Sequence, residues 1–224
     1  MADHEDEIVG RWILARGPWD PGAVSAAWRA EPFQADAAAS AEADRLLRQL
    51  ADRGSPSHDG LAARLADFAV RDGELHLELQ PMRWALRLLD GGADSSISAL
   101  CIVRAADGRW LAGRRAAWVA SWAGRWALGA GGAVEVNENP TLTLTRELQE
   151  EWSIVHERLS VEALIRSEGG NVLFVGQAWL AEGAEADLVR DHEHDAHAWW
   201  PARVEDWPAE ADAPLRHLGH MLAG

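Results

Sequence analysis

The spacing of hydrophobic positions changes near residue 95. Before it, the stretch from Pro21 to Leu50 is alanine-rich and sets Ala43, Leu46, Leu47 and Leu50 at helical intervals. RGSPSHDG (53–60) is a turn cluster, and Leu61 to Phe68 resumes a short helical pattern. LHLELQ (75–80) alternates as a strand does, after a turn at Asp72–Gly73. DGGADSS (90–96) reads as a linker, so residues 1–95 are expected to be a mainly helical extension and residues 96–224 a separate domain. In that second part, ISALCIVR (97–104) and RWLAGRR (109–115) flank Asp107–Gly108 as a hairpin. VEALIR (161–166) and NVLFVGQAWLA (171–181) flank Gly169–Gly170 as another. Between the hairpins the pattern predicts a helix from Pro140 to Trp152, with Asn139 as its N-cap and proline in its first turn. Leu144, Leu148 and Trp152 form its apolar stripe, and PAEADAPLRHLGHML (208–222) predicts a closing amphipathic helix. Strands mixed with helices in this order imply an α+β fold, a mixed sheet between helical layers.

The predicted central helix carries more than a packing stripe. Glu147, Glu150 and Glu151 stand at i, i+3 and i+4, which places them on one helical face, away from the leucines. Neighbouring carboxylates repel unless a cation sits among them, and hard divalent cations take such oxygen ligands. The bland alternative is a solvated acidic face with an arginine pair, but that leaves Gly132 and Glu138 upstream without a role.

Taken together these residues read Gly132-x5-Glu138-x7-Arg146-Glu147-Leu148-x-Glu150-Glu151-x-Ser153-Ile154. The pattern resembles the signature of the Nudix hydrolases, and the resemblance extends over roughly residues 97–222. Ser153 stands where the family has glycine, Asn137 replaces the glycine before the loop glutamate, and Gly129-Ala130-Gly131-Gly132 lacks the proline usual before the paired glycines. The resemblance implies an α/β/α sandwich that hydrolyses a diphosphate bond in a nucleoside-diphosphate-linked or similar organic diphosphate. It implies Glu150 and Glu151 as metal ligands, Glu147 as ligand or base, and the Gly132 carbonyl as a further ligand. Magnesium is the expected ion, with manganese as the alternative. Arg146 is expected to pair with Glu138, holding loop and helix in register. Outside the signature, Glu193 precedes Trp199 by six residues, a spacing shared with family members, and is expected as a ligand or the general base. Its neighbours His192, His194 and His197 leave open a transition-metal site. Arg115 and Arg125 flank the expected cleft and either bind the diphosphate or form surface salt bridges. Trp118, Trp122 and Trp126 lie in the same region; one could stack on a base, and Trp126 is expected to pack.

Composition narrows the partners. The chain has 224 residues, 48% of them hydrophobic, and a net charge of −15. That charge opposes binding to a nucleic acid duplex. No apolar run is long enough to cross a bilayer, and the acidic N-terminus lacks signal-peptide features, so a cytoplasmic location is expected. All 21 basic residues are arginine, which together with abundant alanine points to a bacterium with a GC-rich genome. Every basic contact to phosphate must therefore use a guanidinium. Cys101 lies in an apolar run and reads as a buried structural thiol. Two rival functions remain: a ligand sensor on the same fold, and an isomerase of the isopentenyl-diphosphate type, which needs a catalytic cysteine. Motifs that select among diphosphate substrates are not visible. Residues 1–95 either shape the substrate pocket or form a homodimer interface.

Overall fold

The computed structural model describes residues 11–54, 59–89, 95–119, 121–167 and 170–223. Most of the expected linker (90–94) and Gly169 lie outside them. In chain order the described strands and α-helices are β1 (Arg11–Trp19), β2 (Val24–Trp28), α1 (Ala37–Asp52), β3 (Leu61–Arg71), β4 (Glu74–Arg83), β5 (Ile97–Arg104), β6 (Trp110–Arg115), β7 (Trp126–Leu128), β8 (Ala130–Ala133), α2 (Pro140–Trp152), β9 (Arg158–Ser167), β10 (Val172–Trp179), β11 (His194–Trp200) and α3 (Ala213–Ala223).

The α+β character agrees with the sequence, but the expected mainly helical N-terminal region is a correction. Among the described residues before 95 there are four strands and one α-helix. The helix, α1, is capped by Asp36, whose carboxylate accepts from the Ala39 N–H at 2.7 Å. It packs through Ala43 near Met82, Ala85 and Leu86. Leu61 to Phe68, read as helical, belongs to β3. Its leucine, alanine and arginine are good helix formers, but intrinsic propensity is a weak prior. Antiparallel pairing with β4 through the Asp72–Gly73 turn, where φ is 52° and 82°, overrides that preference. β2 pairs parallel with the other edge of β4, completing a three-stranded sheet.

The larger sheet runs β1-β9-β10-β5-β6-β11, with β7 joined to β6 and β8 to β5. β10 and β5 are parallel and the other pairs are antiparallel. Both hairpins expected after residue 97 form. The first one splays: β5 and β6 share only the Arg104–Trp110 pair near the turn, and β8 and β7 take up the freed edges. β1, which precedes residue 95, is an edge strand of this sheet.

Two cores lie on opposite faces of the sheet. One buries Leu144, Leu148 and Trp152 of α2 with Trp19, Leu65, Leu75, Leu77 and Leu79 from the earlier strands. The other buries Leu215, Leu218 and Leu222 of α3 with Trp110, Trp200 and Trp207. Helix α2 and the small sheet thus cover one face, and α3 covers the other.

Candidate active site

Strand β8 delivers a glycine-rich backbone to the foot of α2, and the loop between them is built from local hydrogen bonds. Asn137 turns the chain at φ 69°, a left-handed conformation asparagine tolerates. Asn139 caps α2 by accepting from the Thr141 N–H at 3.0 Å, while its amide donates to the Val24 carbonyl at 3.1 Å. Glu138 accepts from the Thr143 hydroxyl at 2.7 Å and from Arg146 Nε at 3.1 Å. Burial would raise its pKa, but these bonds hold it below the ordinary carboxylate value. The expected Glu138–Arg146 brace is therefore present. At the far end of α2, Ser153 adopts φ 54° and donates its N–H to the Gln149 carbonyl, so serine fills the left-handed position despite its Cβ.

Three acids of the signature meet two arginines. Arg146 Nη1 donates to Glu147 at 2.7 Å and to Glu150 at 3.1 Å. Burial disfavours the Arg146 charge, yet the Glu138 hydrogen bond and the surrounding carboxylates raise its pKa above the ordinary value. Glu147 and Glu151 are buried, whereas the Glu150 side chain is 57% exposed. A Cβ on Gly132 would meet the Glu147 carboxylate within 2.6 Å, so a side chain there would push that carboxylate out of its present position. Glu151 accepts from the Gly131 N–H at 3.3 Å through one oxygen, and its other oxygen, Oε2, is buried without a hydrogen bond. Desolvation lifts Glu147 to about 7, against the pull of Arg146, and lifts Glu151 well above its ordinary value, against the pull of Arg115.

Arg115 ties the second group of residues together. Its guanidinium lies 3.8 Å from Glu151 and 3.0 Å from Glu193. Register places Arg115 of β6 opposite His194 of β11, and the Ala116 N–H donates to the Glu193 carbonyl. The Asp191 N–H donates to the Glu151 carbonyl at 2.9 Å, so the loop before β11 is fastened to the end of α2. Glu193 thereby joins Glu147 and Glu151 at one site. Arg125 does not: it pairs with Asp212 at the start of α3 and lies over the Trp122 ring at 4.4 Å.

The three histidines separate. His192 stacks on Trp118 with ring centroids 5.2 Å apart. His194 is buried beside Trp152, 3.3 Å from Asp191, and burial lowers its pKa. His197 meets Trp152 edge-on, with ring centroids 6.1 Å apart. Trp126 packs against Trp200, as expected. Cys101 is buried and its thiol is pushed up to about 12 by desolvation, which keeps it protonated and unsuited to nucleophilic or acid–base work.

Among the described residues, no three His, Cys, Asp or Glu side chains converge as a ready-made metal centre. The arginines neutralise the acids instead. The donor chemistry nonetheless fits a hard divalent cation: oxygens only, an orphaned buried carboxylate oxygen on Glu151, and Glu147 seated against Gly132. A cavity of about 200 Å³ opens beside these groups. Its lining includes Glu151, Arg115 and His194 together with Leu100, Leu128, Leu215 and Trp122.

The sequence reading missed two residues of this cavity. Arg87, from the turn after β4, and Ser98, on β5, line it together. Nothing in MRWALRLLD distinguishes Arg87 from a surface arginine, so only the tertiary fold reveals it.

Comparison with known proteins gives a consistent picture. The NUDIX domain model matches residues 94–218. No curated protein matches the sequence significantly. Similar solved structures include a MutT protein from Methanosarcina mazei Go1, 21% identical over 56% of this chain and 92% of that one, with a TM-score of 0.42. A Nudix hydrolase from M. smegmatis is 20% identical over 74% and 96%, with a TM-score of 0.41. A C. elegans Ap4A hydrolase is 19% identical over 58% and 98%, with a TM-score of 0.38. These likenesses are too distant to carry residue roles. The domain match spans more than half of the chain and includes the glutamate helix, the glycine strand and the Glu193 loop, and on that ground the chain belongs to the Nudix family.

Proposed function

We propose that the protein hydrolyses a diphosphate bond in an organic diphosphate, with magnesium as the preferred ion and manganese as a substitute. The observation that carries this reading is the burial of Glu147 and Glu151 against Gly131 and Gly132, with one Glu151 oxygen left without a hydrogen bond. A buried carboxylate oxygen without a hydrogen bond is destabilising, and such groups concentrate where function requires them. Glu147, Glu150, Glu151 and the Gly132 carbonyl are the groups that would hold the ion. Once bound, it would neutralise phosphate oxygens and make attacking water more acidic.

The chain's own groups supply the rest. Water attacks phosphorus in line, the bridging P–O bond breaks, and the water's proton passes to a carboxylate. We assign that role to Glu193. Arg115 holds one of its oxygens at 3.0 Å, and the side chain is 38% exposed, enough for solvent to reach it. Glu138 and Arg146 act by fixing the loop against α2. The leucines and Trp122 in the cavity favour an apolar or aromatic group attached to the diphosphate.

The test is phosphate release across a panel of nucleotide sugars, nucleoside triphosphates, dinucleoside polyphosphates and non-nucleotide diphosphates. Wild type is compared with Glu151→Gln, with and without magnesium. The expected outcome is activity on one class, lost on chelation and reduced at least a thousandfold in the variant. Silence across the panel with ligand binding retained would instead make the protein a sensor.

A further inference from the structure

Among the arginines that line this cavity or brace the acids beside it, Arg87 has the least explained charge. Arg115 is neutralised by Glu151 and Glu193, and Arg146 by Glu138, Glu147 and Glu150. Arg87 forms no ion pair within 4 Å among the described residues. Its guanidinium donates to the Ser98 hydroxyl at 2.8 Å and lies 5.9 Å from the Trp84 ring centre. It is half-buried, and desolvation lowers its pKa to about 10, with the Glu147 charge opposing the drop. A guanidinium offers five N–H donors in a planar fork, so one hydroxyl leaves most of that capacity unused. Keeping such a cation partly out of water without a direct ion pair is destabilising for the fold alone.

We propose that Arg87 is a substrate contact that binds a phosphate group of the organic diphosphate, with Ser98 fixing its orientation. This inference rests on the hydrolase reading above and assigns part of that substrate's recognition to the segment preceding residue 95. Arg87 and Ser98 line the same cavity as Arg115, Glu151 and Gly132, so a phosphate drawn to Arg87 lies beside the acids. The placement has a structural cause. The Trp84 N–H donates to the Gly60 carbonyl and Arg83 pairs with Asp59 and Asp44, which fastens the turn carrying Arg87 to the small sheet and α1. That sheet is joined to the domain by the Ala63 N–H to Val134 carbonyl bond at 3.0 Å and by Leu65 to Ser95 at 2.8 Å. The phosphate charge that Arg87 would hold is already present in the bound substrate and persists in the transition state, so its loss is expected chiefly in KM.

The experiment compares the full chain with Arg87→Gln, Arg87→Lys and Ser98→Ala, reading kcat and KM on the substrate found by the panel. Calorimetric binding of methylene diphosphonate gives a second readout independent of turnover. The expected result for Arg87→Gln is a KM raised by roughly tenfold or more with kcat within a few-fold, and a matching loss of diphosphonate affinity. Arg87→Lys should recover part of both. Should Arg87→Gln fail to fold, Arg87→Lys and Ser98→Ala carry the test: a several-fold rise in KM at an unaltered melting temperature supports the proposal. Unchanged KM and affinity in every folded variant would overturn it while leaving the hydrolase reading intact. No hydrolysis on any substrate, with diphosphonate binding still dependent on Arg87, would do the reverse.

Discussion

Burial lifts the Glu147 carboxyl to about 7, from an ordinary value of 4.5, and so couples the protonation of this residue to folding. The folded-state pKa is raised, so the stabilising proton is fully present below about 4.5 and is lost as pH rises through about 7. At pH 8 the metal-free protein must fold around a desolvated anion, which Arg146 only partly offsets. Glu147→Gln removes that penalty. In chelator, the variant is expected to be more stable than wild type at pH 8, by on the order of 2 kcal/mol, and equal to it near pH 4.5. Urea melts at the two pH values decide it; the same gap at both would show that the carboxyl is not protonated on folding. Added magnesium should then raise the wild type's midpoint more than the variant's, because only the wild type keeps the full ligand set.

Helix α2 shows what a sequence can declare about an element. Its bounds follow from a capping asparagine, a proline in the first turn and an apolar stripe, all local signals that tertiary packing reinforces. Its last turn departs from the family pattern at Ser153, yet the backbone keeps the left-handed conformation. Substituting Ser153→Gly should therefore raise the melting temperature modestly, by roughly 0.5–1 kcal/mol in stability, without altering kcat. A fall in stability would mean that the serine side chain makes a compensating contact. β3 was illegible for the opposite reason: Leu61, Leu65 and Phe68 also satisfy a helical spacing, and only the partner strand decides between the two periods. The acids, Arg115 and Glu193 could be named in advance because motif spacing or flanking position marks them. Arg87 and Ser98 could not, since their meeting depends on how a separate sheet docks.

At the scale of the molecule, the change of pattern near residue 95 does not divide the hydrophobic core. Trp19, Val24, Leu65, Leu75 and Leu79 pack in one cluster with Ile97, Leu144 and Trp152. Removing residues 1–89 should expose that cluster, strip the edge of β9 and yield a protein that aggregates or binds hydrophobic dye. The intact chain should unfold in one transition by both tryptophan fluorescence and circular dichroism. Two separated transitions would show that the segments on either side of residue 95 are stable independently.

The pairing of β1 with β9 also sets an order of events at the ribosome. β1 leaves the exit tunnel early, but the strand that receives it is made only after the glutamate helix. At roughly 5–20 residues per second, that is a wait on the order of ten seconds. During this interval an unpaired apolar strand is available to chaperones and to neighbouring nascent chains. Closure of the sheet is a late, long-range event, so a slow-codon pause before β9 should lower the yield of folded protein more than one after it.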